Sequence, residues 1–306
     1  MVAIDDFHFI EPTFRACVRA TAPIRQLWTG GAWTEGPAWF EAHQSLVFAD
    51  IPNDRLLRYD ATTGAVGALR HGLGHHANGN TIDREGRLVT CEHGTRRVTR
   101  TEHDGALTVL ADRYDGKRLN SPNDVVVKSD GTVWFTDPAY GIDSDYQGFK
   151  AEKEQAGDYV FRFDPRDGSL RIVADDFVRP NGLAFSPDET KLYIADSGFS
   201  SPTGGPQHLR VFDVHDDGRL SGGAVLATCT HGVYDGFRLD TDGRIWTSAW
   251  DGIHCLEPDG RLIGKITFPE RVANLCFAGP RRNRLMVTAN TSLYTVSVLV
   301  NGDKTY

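Results

Sequence analysis

The sequence predicts an all-β chain, a six-bladed β-propeller whose ring is closed by an N-terminal strand that completes the last blade. Three observations carry this expectation. One phrase of sequence recurs six times, turn chemistry separates its strands, and no stretch of about a dozen residues sustains the i, i+3, i+4 spacing of a helix.

The phrase begins on a polar residue, runs into an alternating apolar strand, turns, and returns as a strand of β-branched and aromatic residues. It reads EGPAWFEAHQSLVFAD from Glu35, NGNTIDREGRLVTCEH from Asn78 and NDVVVKSDGTVWFTD from Asn123. It continues as NGLAFSPDETKLYIAD from Asn181 and DGFRLDTDGRIWTSAW from Asp235, with a weaker copy, ANLCFAGPRRNRLMVTAN, from Ala273. Most copies lead into a second hairpin, such as DRLLRYDATTGAVGAL or DYVFRFDPRDGSLRIVA, where DATTG and DPRDG are turn formers. Four strands in every roughly 40–60 residues suit propeller blades. The sixth copy ends on SLYTVSVLV, one strand short, and IRQLW at 24–28 precedes the first copy and can supply the missing strand. Closing the ring in this way removes free sheet edges. The expected division is an N-terminal extension over 1–23, one propeller domain over 24–300 and a tail over 301–306.

Composition narrows the functional classes. Of 306 residues, 40% are hydrophobic and 24% charged, as in soluble globular chains. A net charge of -8 argues against a general affinity for nucleic acid. No apolar run approaches the roughly 20 residues of a membrane span, and MVAIDDFHFIEPTFRACVRATAPI has neither the basic start nor the apolar centre of a secretion signal. Cys17, Cys91, Cys229, Cys255 and Cys276 are scattered, without a CxxC pair. They predict reduced thiols in a cytoplasm, with neither a disulfide frame nor a thiolate zinc site. The expected partner is a small molecule, and the expected assembly a monomer or small homo-oligomer.

Aligning the copies on their first apolar strand locates a candidate site. Four residues before Trp39, Ile82, Val127, Phe185 and Leu239 stand Glu35, Asn78, Asn123, Asn181 and Asp235. In the sixth copy the position falls on Ala273 or on Asn274. Singly, such residues open strands through Asx turns. In register they bring oxygen-bearing side chains from five blades to one end of the axis. Two carboxylates with amide carbonyls suit one hard divalent cation, Ca²⁺ foremost, with Mg²⁺, Mn²⁺ and Zn²⁺ as alternatives.

Antiparallel pairing returns the second strand to the same face. Asp50, His93, Asp137, Tyr140, Asp196 and Trp250 are therefore expected around the pocket, His75 and His76 near it, and His93 in contact with substrate. The longest irregular insertions, over 138–157 and 197–208, leave from this face as candidate walls or lids. Trp39, Trp134 and Trp246 fall in strand interiors and read as packing residues.

The segments TEGPAW (34–39), SPNDVVV (121–127), VWFTDPAYG (133–141), RPNGLAFSPD (179–188) and YDGFRLD (234–240) resemble the SMP-30/gluconolactonase/regucalcin family, in its bacterial gluconolactonase branch. The likeness runs over nearly the whole chain from about Gly31. It implies a six-bladed propeller, a divalent metal and hydrolysis of aldonolactones. By motif it carries metal ligation to Glu35, Asn181 and Asp235, and contact with substrate or water to Asn123. The animal branch has an arginine two residues before that asparagine. Ser121 stands there in this chain, so recognition through that arginine does not carry over.

Lactone hydrolysis then assigns roles. The ion polarises the carbonyl, Asp235 serves as proton acceptor and donor, Glu35 and Asn181 hold the ion, and Asn123 and Asn78 orient substrate or water. Two rival readings remain open. One is a metal-dependent propeller hydrolase for aryl esters, homoserine lactones or phosphotriesters, which an apolar pocket rim would favour. The other is a non-catalytic interaction propeller, which calls for an axis of small or apolar residues.

Overall fold

The computed structural model describes residues 6–304, so 1–5 of the expected extension and 305–306 of the tail lie outside the described residues. Blade 1 comprises Thr34–Phe40, Ser45–Asp50, Arg55–Asp60 and Val66–His71. Blade 2 comprises Ala77–Ile82, Leu88–Glu92, Arg97–Thr101 and Leu107–Ala111, and blade 3 comprises Val125–Val127, Val133–Asp137, Asp158–Asp164 and Ser169–Phe177. Pro180–Phe185, Lys191–Asp196, His208–Val214 and Leu220–Thr228 form blade 4. Phe237–Leu239, Ile245–Ala249, Gly252–Leu256 and Leu262–Ile266 belong to blade 5. Val272–Ala278, Arg284–Ala289 and Ser292–Ser297 begin blade 6. Each sheet is an antiparallel meander, and each innermost strand touches that of the next blade, the sixth closing onto the first.

The missing strand of blade 6 is Arg25–Thr29, which pairs antiparallel with Ser292–Ser297. The expected six-bladed ring with its N-terminal closure is thus the fold observed.

Second strands are apolar on both faces because each blade is packed between two others. In blade 1, Leu46 and Phe48 join the cluster shared with blade 6, while Val47 and Ala49 join the one shared with blade 2. That alternation is the period of two of a pleated strand. Blade 3 repeats it, with Trp134 facing blade 4 and Val133 and Phe135 facing blade 2. Six clusters fill the six wedges between blades. Trp134 and Trp246 are fully buried in them, as expected of packing residues, and Trp39 is half-buried at the edge of one.

Phe7–Phe9, within the expected extension, adds an unforeseen fifth strand to blade 5, paired with Leu262–Ile266. A short 3-10 turn, Pro12–Ala16, then seats the fully buried Phe14 against Gly264, where any Cβ would collide with its ring. The other end is stitched nearby. Val18 bridges Val298, the Leu299 N–H donates to the Cys17 carbonyl at 2.8 Å, and the Asp303 N–H donates to Leu239 O at 2.9 Å. The five cysteines are buried and free, and among the described residues no helix is long and apolar enough to cross a membrane.

Candidate active site

The innermost strands approach one another closely, and glycine makes this possible. A Cβ at Gly36 would collide with the Asn78 carbonyl, and one at Gly182 with that of Asp235. The backbone therefore tightens around the axis immediately after Glu35 and Asn181. Between blades, the Gly79 N–H donates to Asn123 O at 2.8 Å and the Gly236 N–H to Ala273 O at 3.0 Å. By this equivalence Ala273 occupies the sixth ring position.

Glu35, Asn78, Asn123, Asn181 and Asp235 all line one cleft of ≈ 230 Å³ at the end of the axis. Tyr140, Tyr146 and Gln147, from the insertion over 138–157, form one wall, and Ser200 enters from the second insertion. Trp33, Val233 and Arg271 complete the lining.

Hydrogen bonds fix the ring side chains from behind. Glu35 Oε2 accepts from the Gly36 N–H at 2.9 Å and from Asn274 Nδ2 at 3.1 Å, while its Oε1 takes no bond from the described residues. Asn181 Nδ2 donates to Ser197 Oγ at 3.2 Å, and that hydroxyl donates to Tyr234 O at 2.7 Å. Asn78 Nδ2 lies 3.0 Å from His93 Nε2, and His93 Nδ1 lies 3.2 Å from the Gln147 carbonyl. A carbonyl can only accept, so the network assigns the histidine proton to Nδ1 and makes Nε2 the acceptor from Asn78. Burial pushes the His93 pKa down to about 3, which keeps the ring neutral. The side-chain oxygen of Asn78, Oδ1, then takes no bond from the described residues. His93 itself is fully buried and stands one layer behind the cleft, so the structure gives it a hold on Asn78 in place of the expected contact with substrate.

Of the other residues expected around the pocket, only Tyr140 lines it. Burial raises its phenol pKa to about 12, and its hydroxyl lies 2.9 Å from Ser200 Oγ. Asp50, Asp137 and Asp196 serve the backbone instead. Each accepts an N–H from the segment leading into its own blade: Ala32 at 2.9 Å, Asn120 at 2.8 Å and Arg179 at 3.0 Å. Trp250 sits at the rim against Arg271. His76 bonds the Ile51 carbonyl at 2.8 Å, and His75 lies 3.6 Å from Glu92. Ser121 is occupied by the loop, donating to Pro138 O at 2.6 Å and accepting from the Gly141 N–H at 2.9 Å.

Electrostatics bear on whether a cation suits this ring. Burial, followed by the neighbouring charge of Asp235, lifts the Glu35 carboxyl well above the usual carboxylate range. Burial also raises Asp235. Two carboxylates that resist ionising together, Glu35 buried and Asp235 half-buried, are what a divalent cation would relieve. Among the described residues no three of His, Cys, Asp and Glu come together to hold a metal. Ligation would therefore need amide oxygen as well as Glu35 and Asp235, a hard-donor set suited to Ca²⁺ and its like. The donor chemistry fits the ion.

Asn274, Arg271 and Trp33 were not singled out as functional residues from sequence. Asn274 appeared only as an alternative at the sixth ring position, and the other two precede their repeats, where alignment of the copies has no purchase.

Comparison with known proteins agrees along most of the chain. The family described as SMP-30/Gluconolactonase/LRE-like region matches residues 33–291. A gluconolactonase of Zymomonas mobilis is 30% identical, the match covering 94% of this chain and 84% of that protein. A pentonolactonase of Haloferax volcanii is also 30% identical, over 83% of this chain and 80% of its own length. The solved structure of a gluconolactonase from Xanthomonas campestris superposes with a TM-score of 0.89 at 36% identity, covering 96% of this chain and 95% of that one.

Proposed function

The chain belongs to the SMP-30/gluconolactonase/LRE-like family, and from that premise we propose that it is a lactonase opening the ring ester of a sugar lactone, an aldonolactone such as gluconolactone. The reading includes one divalent ion, Ca²⁺ foremost, with Glu35, Asn181 and Asp235 as ligands. The observation that carries it is the convergence of two carboxylates, Glu35 buried and Asp235 half-buried, and three asparagines from five blades on one cleft.

When bound, the ion supplies Lewis acidity toward the lactone carbonyl. The protein's residues account for the rest. A water oxygen adds to the carbonyl carbon while Asp235 takes its proton. The carbon–oxygen bond of the ring then breaks, and Asp235 returns the proton to the departing oxygen, leaving a hydroxyl and an aldonic acid. Burial supports Asp235 in this role, because a raised pKa brings proton acceptance and return closer to neutral pH. In this reading Asn123 and the side-chain oxygen of Asn78 hold sugar hydroxyls or the attacking water. Trp33, Tyr140 and Tyr146 offer aromatic faces to the C–H faces of the sugar.

A second reading, hydrolysis of an aryl ester or acyl homoserine lactone, draws on those same aromatic walls and on the exposed Phe199 and Trp250 beside them. A panel of lactones and esters, assayed on stripped protein reloaded with Ca²⁺, Mg²⁺, Mn²⁺ or Zn²⁺, separates the two. Turnover confined to aryl or acyl substrates would reject the sugar, and an undiminished rate in stripped protein would reject the ion. Asp235→Asn is expected to keep weakened metal binding by calorimetry while kcat falls about 10²–10⁴-fold. A near wild-type rate at saturating metal would leave Asp235 a ligand only.

A further inference from the structure

One charged side chain of the cleft, Arg271, has no step in the proposed hydrolysis, although its field partly offsets the rise that burial gives Asp235. Arg271 directly precedes the innermost strand of blade 6 and lines the cleft. Its guanidinium carbon lies 3.9 Å from the centre of the Trp250 ring and 5.4 Å from that of Trp33. It makes no hydrogen bond or ion pair with the described residues. Stacking engages the face of a guanidinium and leaves its N–H groups, which lie in the plane, unspent. The support is itself fixed. Trp250 packs on Gly232, where any Cβ would run into the indole, and also touches Phe199. An arginine held in place by aromatic rings, with its hydrogen-bonding edge free in a half-enclosed cleft, is preorganised for a planar or tetrahedral anion.

The charge balance points the same way. Glu35 and Asp235 together offset a divalent ion, so Arg271 leaves the loaded cleft with a surplus positive charge. A neutral sugar does not use that surplus.

We propose that Arg271 selects the substrate, and that the preferred lactone carries an anionic group besides its ring ester, a carboxylate, phosphate or sulfonate, gripped by the forked edge of the guanidinium. This rests on the lactonase reading and deepens it by naming the substrate class. The competing account is that Arg271 only braces Trp33 and Trp250 and tempers the Asp235 carboxyl. In that case its loss would affect every substrate alike.

The test compares wild type, Arg271→Gln and Arg271→Lys, all loaded with ion. The substrates are gluconolactone, its 6-phosphate, its 6-deoxy-6-sulfonate and the monolactone of glucaric acid. Wild type should favour at least one anionic lactone, and the one favoured identifies the anion. Arg271→Gln should lower kcat/KM for it about 10–100-fold more than for gluconolactone, mainly through KM, as expected for loss of a charge-assisted fork. Arg271→Lys should fall between, keeping the charge and losing the fork. Equal losses on all four lactones, or no anionic preference in wild type, would overturn the proposal.

A binding arm needs no turnover. Calorimetry compares gluconate with 6-phosphogluconate, 6-deoxy-6-sulfogluconate and glucarate on wild type and Arg271→Gln. If wild type hydrolyses no lactone, the lactonase reading falls and this arm still decides the role of Arg271. Tighter binding of a second anion that vanishes in Arg271→Gln upholds that role, and its absence removes it.

Discussion

His93→Gln tests the electrostatics behind the cleft through the pH dependence of stability. In the folded chain the ring is fully buried, with its pKa pushed down to about 3 from an ordinary 6.5. Between those values the unfolded chain binds a proton at residue 93 that the folded chain refuses, so stability falls as pH falls. The sign follows from the lowered pKa of a base: the contribution is intact above pH 6.5 and is lost progressively on the way down to about 3. At pH 5 the loss is RT ln(1 + 10^1.5), about 2 kcal/mol, and it is nearly zero at pH 7.5. Glutamine does not titrate. Urea midpoints for both proteins at pH 7.5 and pH 5, in chelator, should therefore show wild type losing about 2 kcal/mol more than the variant across the interval. Every other histidine is common to both and cancels. Parallel losses would mean that the folded ring takes up a proton. The Nδ1–H tautomer, and with it the orientation given to Asn78, would then be wrong.

Three further outcomes are expected. Phe14→Ala empties the notch at Gly264 and should cost about 3–5 kcal/mol by denaturation, with KM unchanged because the side chain packs on Trp246, away from the cleft. Gly182→Ala pushes a methyl into the Asp235 carbonyl and should cost about 1–3 kcal/mol. It should also weaken metal binding by calorimetry, since Asp235 must shift. Tyr146→Ala removes a largely exposed ring whose hydroxyl reaches Ala32 O at 3.3 Å across the cleft. KM for the best lactone should rise roughly three- to tenfold, while the melting temperature, by scanning calorimetry, moves little, as is usual for exposed positions.

The architecture was legible because each blade repeats one physical problem. A second strand such as Ser45–Asp50 must be apolar on both faces to fill two wedges, and that requirement leaves a recurring run in the sequence. The ring of side chains was legible for a related reason. The copies keep one count from the ring residue to the first apolar strand, and the structure adds a cause: a glycine follows Glu35, Asn78, Asn181 and Asp235 where the next blade comes close. Reasoning from a shared face failed for Asp50, Asp137 and Asp196. They do end strands at the correct end of the ring, but incoming backbone N–H groups offered a nearer partner than the cleft. Arg271 and Trp33 were missed because they lie in the approach segments, where the copies do not align. Phe7–Phe9 is too short to carry a strand pattern, and only the free edge of blade 5 makes it one.

The closing strand also imposes a schedule. Gln26 bonds Tyr294 across 268 positions of sequence. At a synthesis rate of about 5–20 residues per second, Arg25–Thr29 emerges from the ribosome roughly 13–50 s before its partner exists. Phe7–Phe9 waits nearly as long for Leu262–Ile266. Throughout that interval the growing chain is an open arc. Leu46 and Phe48 of blade 1 lack the blade 6 residues Cys276, Met286 and Leu293 that will cover them. Both ends of the arc therefore remain adhesive until the last tenth of the protein is made. The yield of folded enzyme then depends on how fast translation delivers blade 6, and on what shields blade 1 while it waits.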